Sequence, residues 1–204
     1  MKVLVVTEWC DRYKEIADVS LTNLFQYAER HNYLVHIIKL EESEGFHYKK
    51  HEYFKEAFKT GVDVIFYKDI DTVITNYKIS IESFIDYNHS LFITKDFGGI
   101  NGGSLIIRNT SGGKWVNDFI LSQREWYNNE QEVMNAFIDV QEFNQYVKIL
   151  PHPSINSYPY ENYIEFKDVT TEQGQWAEGC FLMHTPALEL SKRAEILKQA
   201  KIIK

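Results

Sequence analysis

The first third of the chain alternates short apolar runs with longer amphipathic stretches, and few architectures accept that alternation. Residues 3–6 are continuously apolar, as expected of a strand buried on both faces. Residues 15–30 carry Ile16, Val19, Leu21, Leu24, Phe25 and Ala28 near helical spacing, with Asn32 as a stop signal. Residues 33–40 are β-branched and predict a second strand. Residues 48–59 predict a second amphipathic helix, closed by Gly61. Residues 62–67 predict a third strand. This β-α-β-α-β order implies an α/β fold whose parallel sheet is built by right-handed crossovers. In such sheets ligands bind outside the carboxyl ends of the strands.

The third strand ends in two carboxylates one residue apart, within V-I-F-Y-K-D-I-D-T-V-I-T-N, residues 64–76. Two carboxylates at this spacing can turn toward one hard cation such as Mg2+ or Mn2+, which can in turn bridge a diphosphate. Thr7 and Glu8, at the end of the first strand, are expected beside Asp69 and Asp71. Two enzyme classes place D-x-D at such a strand end. In GT-A glycosyltransferases the pair holds the metal that binds the donor diphosphate. In haloacid-dehalogenase-like phosphatases the first Asp is the nucleophile, here Asp69. The phosphatase motif usually lies on the first strand and needs a later acidic pair, and none follows Asp71.

The remaining chain predicts strands at 90–94, 104–108, 147–150 and 181–184, with a Gly-rich turn at 97–103. Helices are predicted at 113–126, 130–138 and 187–201. No repeat, low-complexity tract or linker divides the 204 residues, so one domain is expected. The formal net charge of −7 argues against a general nucleic-acid binder or a polybasic membrane-surface protein. Cys10 and Cys180 form no CxxC and no disulfide framework, and are expected as unpaired thiols. No apolar run approaches the ~20 residues that span a bilayer. The start is too short for a signal peptide, so a soluble cytoplasmic protein without a transmembrane segment is expected.

Several segments, in order over most of the chain, resemble one family. They are Y-K-E-I-A-D-V-S-L-T-N-L-F-Q-Y-A-E-R-H-N-Y (13–33), Y-K-K-H-E-Y-F-K (48–55), D-I-D and K-D-F-G-G-I-N-G-G-S-L-I-I-R-N-T (95–110). N-E-Q-E-V-M (129–134), I-N-S-Y-P (155–159) and W-A-E-G-C-F-L-M-H (176–184) complete the set. Together they resemble the galactosyltransferase family of yeast Golgi mannan galactosyl- and mannosyltransferase-related proteins and plant xyloglucan xylosyltransferases. Departures are Leu24 for the family's Lys, Tyr48 for Trp, Cys180 for a common Asp, and T-P-A after His184 without the usual Gly.

The resemblance implies a GT-A, Rossmann-like fold: a mainly parallel central sheet flanked by helices, with a small antiparallel addition. It implies a retaining hexosyltransferase that takes its sugar, expected to be galactose, from a UDP-sugar donor. The acceptor is a carbohydrate or another hydroxyl compound. Asp69, Asp71 and His184 are implied to hold Mn2+ (or Mg2+). Lys50 matches the family's helix Lys near the phosphates, and Thr7, Glu8 and Tyr13 are candidates for the nucleoside. Along Asn101, Gly102 and Gly103 the backbone can approach a sugar closely, since the two glycines have no Cβ. Asp96 is a candidate for donor-sugar hydroxyls. Glu130 and Gln131 open a helix, where the dipole favours an acid, and are the candidates facing the anomeric carbon. Tyr158, Tyr160, Tyr163, Phe166 and Trp176 fit either an acceptor groove or core packing.

Overall fold

The computed structural model describes residues 1–41, 46–96, 98–165 and 174–204. Its main sheet has the order β2-β1-β3-β6-β5-β7. Here β1 is Val3–Trp9, β2 Leu34–Lys39, β3 Val64–Lys68, β5 Leu91–Asp96, β6 Gly99–Arg108 and β7 Val147–Leu150. The pairs β1–β2, β1–β3 and β5–β7 are parallel, and β6 runs antiparallel to both of its neighbours. The predicted β-α-β-α-β unit is therefore present, with β1 between β2 and β3.

Strand side chains alternate between two apolar layers. Leu4, Val6, Ile65, Leu105 and Ile107 face helices α2 (Phe46–Ala57), α3 (Ser111–Ser122) and α4 (Glu130–Phe137), meeting Phe54, Val116, Ile120 and Met134. Val3, Val5, Val64, Phe66 and Ile106 face the other way, toward Leu24 and Tyr27 of α1 (Lys14–His31) and toward Phe181. Burial on both faces explains why β1 and β3 read as unbroken apolar runs. Leu24 is fully buried in the second layer, a place that favours an apolar side chain over the family's Lys. The stop signals act as expected. Asn32 takes the left-handed conformation at φ 56° and caps Ala28 and Glu29, and Gly61 does so at φ 75° after the turn that follows α2.

Two features differ from the sequence expectations. The Gly-rich segment is not a turn before a strand. β6 begins at Gly99 and runs through Gly102 and Gly103, because neighbouring side chains fill the space that Cβ atoms would take. A short strand, β4 (Thr72–Ile74), also follows the carboxylates and pairs antiparallel with β8 (Leu182–His184). This is the small antiparallel addition. The described remainder comprises α5 (Gln141–Asn144), α6 (Tyr160–Glu165) and α7 (Leu190–Gln199). Cys10 and Cys180 are free. Among the described residues no helix is long and apolar enough to cross a membrane.

Between α2 and α3, His51 is fully buried. Its Nδ1 lies 2.8 Å from Asn117 Oδ1, and Asn117 Nδ2 donates to the His51 carbonyl at 3.0 Å. Burial pushes the His51 pKa down from 6.5 to about 4. The unfolded chain then takes up a proton that the folded chain refuses, so stability is lost as pH falls from 6.5 toward 4. From this group alone we expect a loss of about 2 kcal/mol between pH 7 and pH 5. Denaturant unfolding of wild type and His51→Gln at both pH values checks this. The variant should show the shallower loss, and equal losses would contradict the assignment.

Candidate active site

A cavity of about 730 Å³ opens where the carboxyl ends of β1 and β3 meet the start of β6 and the N-terminus of α4. Asp69 follows β3 directly, and its backbone N–H donates to Gly103 O at 2.7 Å, extending the β3–β6 ladder by one residue. Asp71 precedes β4. Thr185, just past β8, clasps the Asp71 carbonyl with both its backbone N–H (3.0 Å) and its hydroxyl (2.9 Å). The β4–β8 register sets Thr72 opposite His184, which carries the imidazole into the carboxylate pair.

His184 Nε2 lies 3.3 Å from Asp71 Oδ1 and 4.0 Å from Asp69 Oδ2. One ligand atom from each of Asp69, Asp71 and His184 lies within 4.8 Å of the others. The other Asp71 oxygen accepts from Arg193 of α7 at 2.8 Å. Burial pushes the Asp71 pKa up, but His184 and Arg193 outweigh it and hold this carboxyl below its usual range. Asp69 goes the other way. Burial and the Asp71 charge raise it, against the opposing pull of Lys50 and His184. A divalent cation would relieve that repulsion.

Beneath the loop, Lys68 is fully buried. Its Nζ donates to Ser20 Oγ (2.7 Å), Thr72 O (3.2 Å) and Asp69 O (3.3 Å), so one amino group gathers the backbone on both sides of D-I-D, while burial lowers its pKa from 10.5 to about 7.

A second charged group forms the opposite wall. Lys50 and Glu130, both buried, pair at 2.6 Å, and Lys50 also donates to Gly102 O at 3.2 Å while sitting 4.2 Å above the Tyr67 ring. Burial works against both charges, but Glu130, Asp69 and Glu8 together raise Lys50, and Lys50 with His51 and His47 lowers Glu130. Glu130 Oε2 is buried without a hydrogen-bond partner, 3.7 Å from His47 Nδ1. Tyr67 donates toward Asp69 Oδ1 (2.7 Å) and lies 3.2 Å from Glu8 Oε1. Burial, with a further push from Asp69, lifts Glu8 to about 8 against the pull of Lys50. Glu8 therefore carries a proton at neutral pH. The Gln131 amide oxygen accepts from Gly102 N at 2.9 Å, docking α4 on β6.

The predicted residues Glu8, Tyr13, Lys50, Asp69, Asp71, Asp96, Asn101, Gly102, Gly103, Glu130, Gln131 and His184 all border this cavity. Thr7 does not. It is fully buried behind the wall, its hydroxyl without a partner. Among the aromatics, Tyr158 borders the cavity but is anchored in the core, and Tyr160 is exposed. Trp176 packs in the cluster around Ile16 and Met183 and donates to Thr75 Oγ1 at 3.0 Å. Core packing accounts for it. The Tyr163 side chain and Phe166 lie outside the described residues.

Sequence reasoning missed Tyr67, Lys68, Asn156 and Arg193. Tyr67 and Lys68 were readable only as strand residues, although a Lys ending an apolar strand is itself a signal. Asn156 sits in the I-N-S-Y-P segment, which carried no assigned chemistry. Arg193 lay within the predicted helix at 187–201, with no signal to set it apart.

A model of the galactosyl transferase GMA12/MNN10 family matches residues 84–187, about half of the chain. The chain belongs to this family. The matched span includes Asp96, Asn101–Gly103, Glu130, Gln131 and His184, and starts after the D-I-D pair. Over 192 residues the chain is 23% identical to a probable alpha-1,6-mannosyltransferase, MNN10, of Saccharomyces cerevisiae, covering 71% of this chain and 48% of that protein. Over 77 residues it is 31% identical to an alpha-1,2-galactosyltransferase of Schizosaccharomyces pombe, covering 35% of this chain and 20% of that protein. The chain thus spans at most about half the length of these curated relatives.

Solved structures share the fold at low identity. A glycosyltransferase involved in glycosylation of the major capsid of PBCV-1 superposes with TM-score 0.74 at 14% identity, over 97% of this chain and 99% of that one. The galactosyltransferase LgtC, solved with donor and acceptor sugar analogues, gives TM-score 0.55 at 12% identity, over 98% of this chain and 97% of that one. The fold is GT-A.

The packing around the glycines gives a direct test. A Cβ on Gly103 would stand 2.3 Å from His184 Cε1 and 2.9 Å from Asn101 Oδ1. Gly103→Ala must therefore displace the imidazole. We expect a cooperatively folding variant in which any divalent-cation affinity of this group, by calorimetry, is weaker by roughly tenfold or more. An unchanged affinity would contradict this arrangement.

Proposed function

We propose that this chain is a retaining glycosyltransferase that moves a sugar, which we take to be galactose, from a UDP-sugar to the hydroxyl of a glycan or similar acceptor. The observation that carries the reading is the convergence of Asp69, Asp71 and His184 on one wall of the cavity. Two carboxylates and a neutral imidazole form an oxygen-rich donor set with one nitrogen, which suits Mn2+ better than Ca2+. The imidazole is held from behind, as metal-ligating histidines usually are. A divalent ion held there supplies Lewis-acid stabilisation of a departing diphosphate.

The chain's own residues account for the other requirements. Lys50 and Arg193 border the cavity as fixed cations and add positive charge where a diphosphate develops its own. Glu8, neutral at pH 7, offers both a donor and an acceptor at the end of β1, where GT-A folds receive the nucleoside. Asp96 and Asn101 present a carboxylate and an amide to sugar hydroxyls. Glu130, held ionised by Lys50, stabilises positive charge growing at the anomeric carbon. The bond from that carbon to the diphosphate oxygen breaks, and the acceptor oxygen bonds on the same face. The acceptor's proton passes to the departing phosphate oxygen. Attack by Glu130 itself, giving a covalent intermediate, is less favoured because its pairing with Lys50 lowers the basicity of the carboxylate. Family and fold favour this reading over a phosphatase with Asp69 as nucleophile.

Thermal unfolding with UDP, GDP and their sugars, with and without Mn2+, tests the proposal. We expect stabilisation by one nucleotide, UDP, that requires Mn2+ and disappears in Asp71→Ala. At about 100 times the Kd it amounts to roughly 2.7 kcal/mol. Silence with every nucleotide, metal present or not, would overturn the donor-site assignment.

A further inference from the structure

A histidine ligates a metal through a ring nitrogen that carries no proton, and the partner of its other nitrogen decides which one that is. In this chain Nε2 of His184 faces Asp71 and Asp69, while Nδ1 lies 2.7 Å from Oδ1 of the fully buried Asn156. An amide can turn over and present its NH2 instead, so the question is what fixes it.

The answer runs through Tyr158. Its hydroxyl donates to Asp96 Oδ2. Asn156 Nδ2 donates to the same phenolic oxygen at 3.2 Å and Asn101 Nδ2 at 2.7 Å. Asn101 Nδ2 also reaches Asp96 Oδ2 at 3.0 Å. A phenol has one proton and two lone pairs. The carboxylate takes the proton and the two amides fill the lone pairs. If Asn156 turned over, its oxygen would face the phenol, whose only proton is already committed to Asp96. The NH2 group of Asn156 therefore points to Tyr158, and its oxygen must point to His184. That oxygen can only accept, so Nδ1 bears a hydrogen and Nε2 is the nitrogen left to offer its lone pair to a cation. The backbone holds the same alignment, with His184 N donating to Ser157 O at 2.8 Å.

We propose that Asn156 is the positioning residue that fixes His184 in its Nδ1–H form and presents the Nε2 lone pair to the space between Asp69 and Asp71. Tyr158 and Asp96 keep the amide from turning. The inference rests on the reading of Asp69, Asp71 and His184 as a divalent-cation site. It gives the I-N-S-Y-P segment its purpose. It also ties the wall that would meet the donor sugar to the metal ligand through one directional line of hydrogen bonds.

The test reads the ring first and the metal second. In metal-free protein with 15N-labelled histidine, long-range 1H–15N correlation shows which nitrogen of His184 is protonated. We expect hydrogen on Nδ1 in the wild type and a mixture of tautomers in Asn156→Leu. Mn2+ affinity, by EPR titration, should fall by roughly 10- to 100-fold in Asn156→Leu. It should largely return in Asn156→Asp, which still accepts from Nδ1–H. Should Asn156→Leu fail to fold, Tyr158→Phe frees the amide to turn and should shift both readouts in the same direction by less. An Nδ1 without hydrogen in the wild type would overturn the inference, as would a folded Asn156→Leu that binds Mn2+ like the wild type. A wild type that binds neither Mn2+ nor Mg2+ would overturn the metal-site reading instead, whatever the tautomer.

Discussion

The pairing of β4 with β8 is the contact on which the site depends. It spans three residue pairs, Thr72 with His184, Val73 with Met183 and Ile74 with Leu182. A ladder this short is marginal alone, yet its apolar side chains are sunk into two core clusters, with Ile74 and Leu182 in one and Val73 and Met183 in the other. That burial fixes the register, and a slip of one residue would turn His184 to the opposite face. The imidazole reaches Asp71 because the strands can pair in one register only. Lys68 beneath the loop and Arg193 beside it complete the hydrogen-bonded frame.

The second wall follows a different logic. A buried ion pair such as Lys50 with Glu130 is a weak way to stabilise a fold, since taking two charges out of water offsets most of their attraction. Pairs of this kind are intelligible where the charges themselves are needed. Lys50 touches Gly102 and Tyr67, and Tyr67 in turn touches Asp69 and Glu8. One ammonium thus pairs with Glu130 beside Gly102 and is linked through Tyr67 to Asp69. Gly102 is needed for the same reason as Gly103, because a Cβ there would lie 2.6 Å from Glu130 Oε1.

Much of this was legible in the sequence, for identifiable reasons. The parallel unit from β1 to β3 announced itself because strands buried on both faces are continuously apolar and helices between them carry a clear period. Asp69 and Asp71 stood out because charge interrupts that apolar pattern. What stayed hidden were features set by distant partners. β4 is three residues long, too short a run to predict as a strand, because its strand character comes from β8, far along the chain. The Gly-rich part of β6 suggested a turn, whereas its glycines make room for His184 and Glu130. Thr7 was placed in the site by position alone, but strand alternation turns it into the wall. Asn156 and Arg193 act through single contacts with His184 and Asp71, and one sequence does not reveal such pairings.

The central claim is that Asp69, Asp71 and His184 hold one divalent cation together. Pulsed EPR of the protein loaded with a single equivalent of Mn2+ tests it most directly. The account predicts hyperfine coupling to one imidazole nitrogen, absent in His184→Gln, and markedly weaker Mn2+ binding in Asp71→Ala. A tightly bound Mn2+ without nitrogen coupling, or binding unaffected by either substitution, would contradict it.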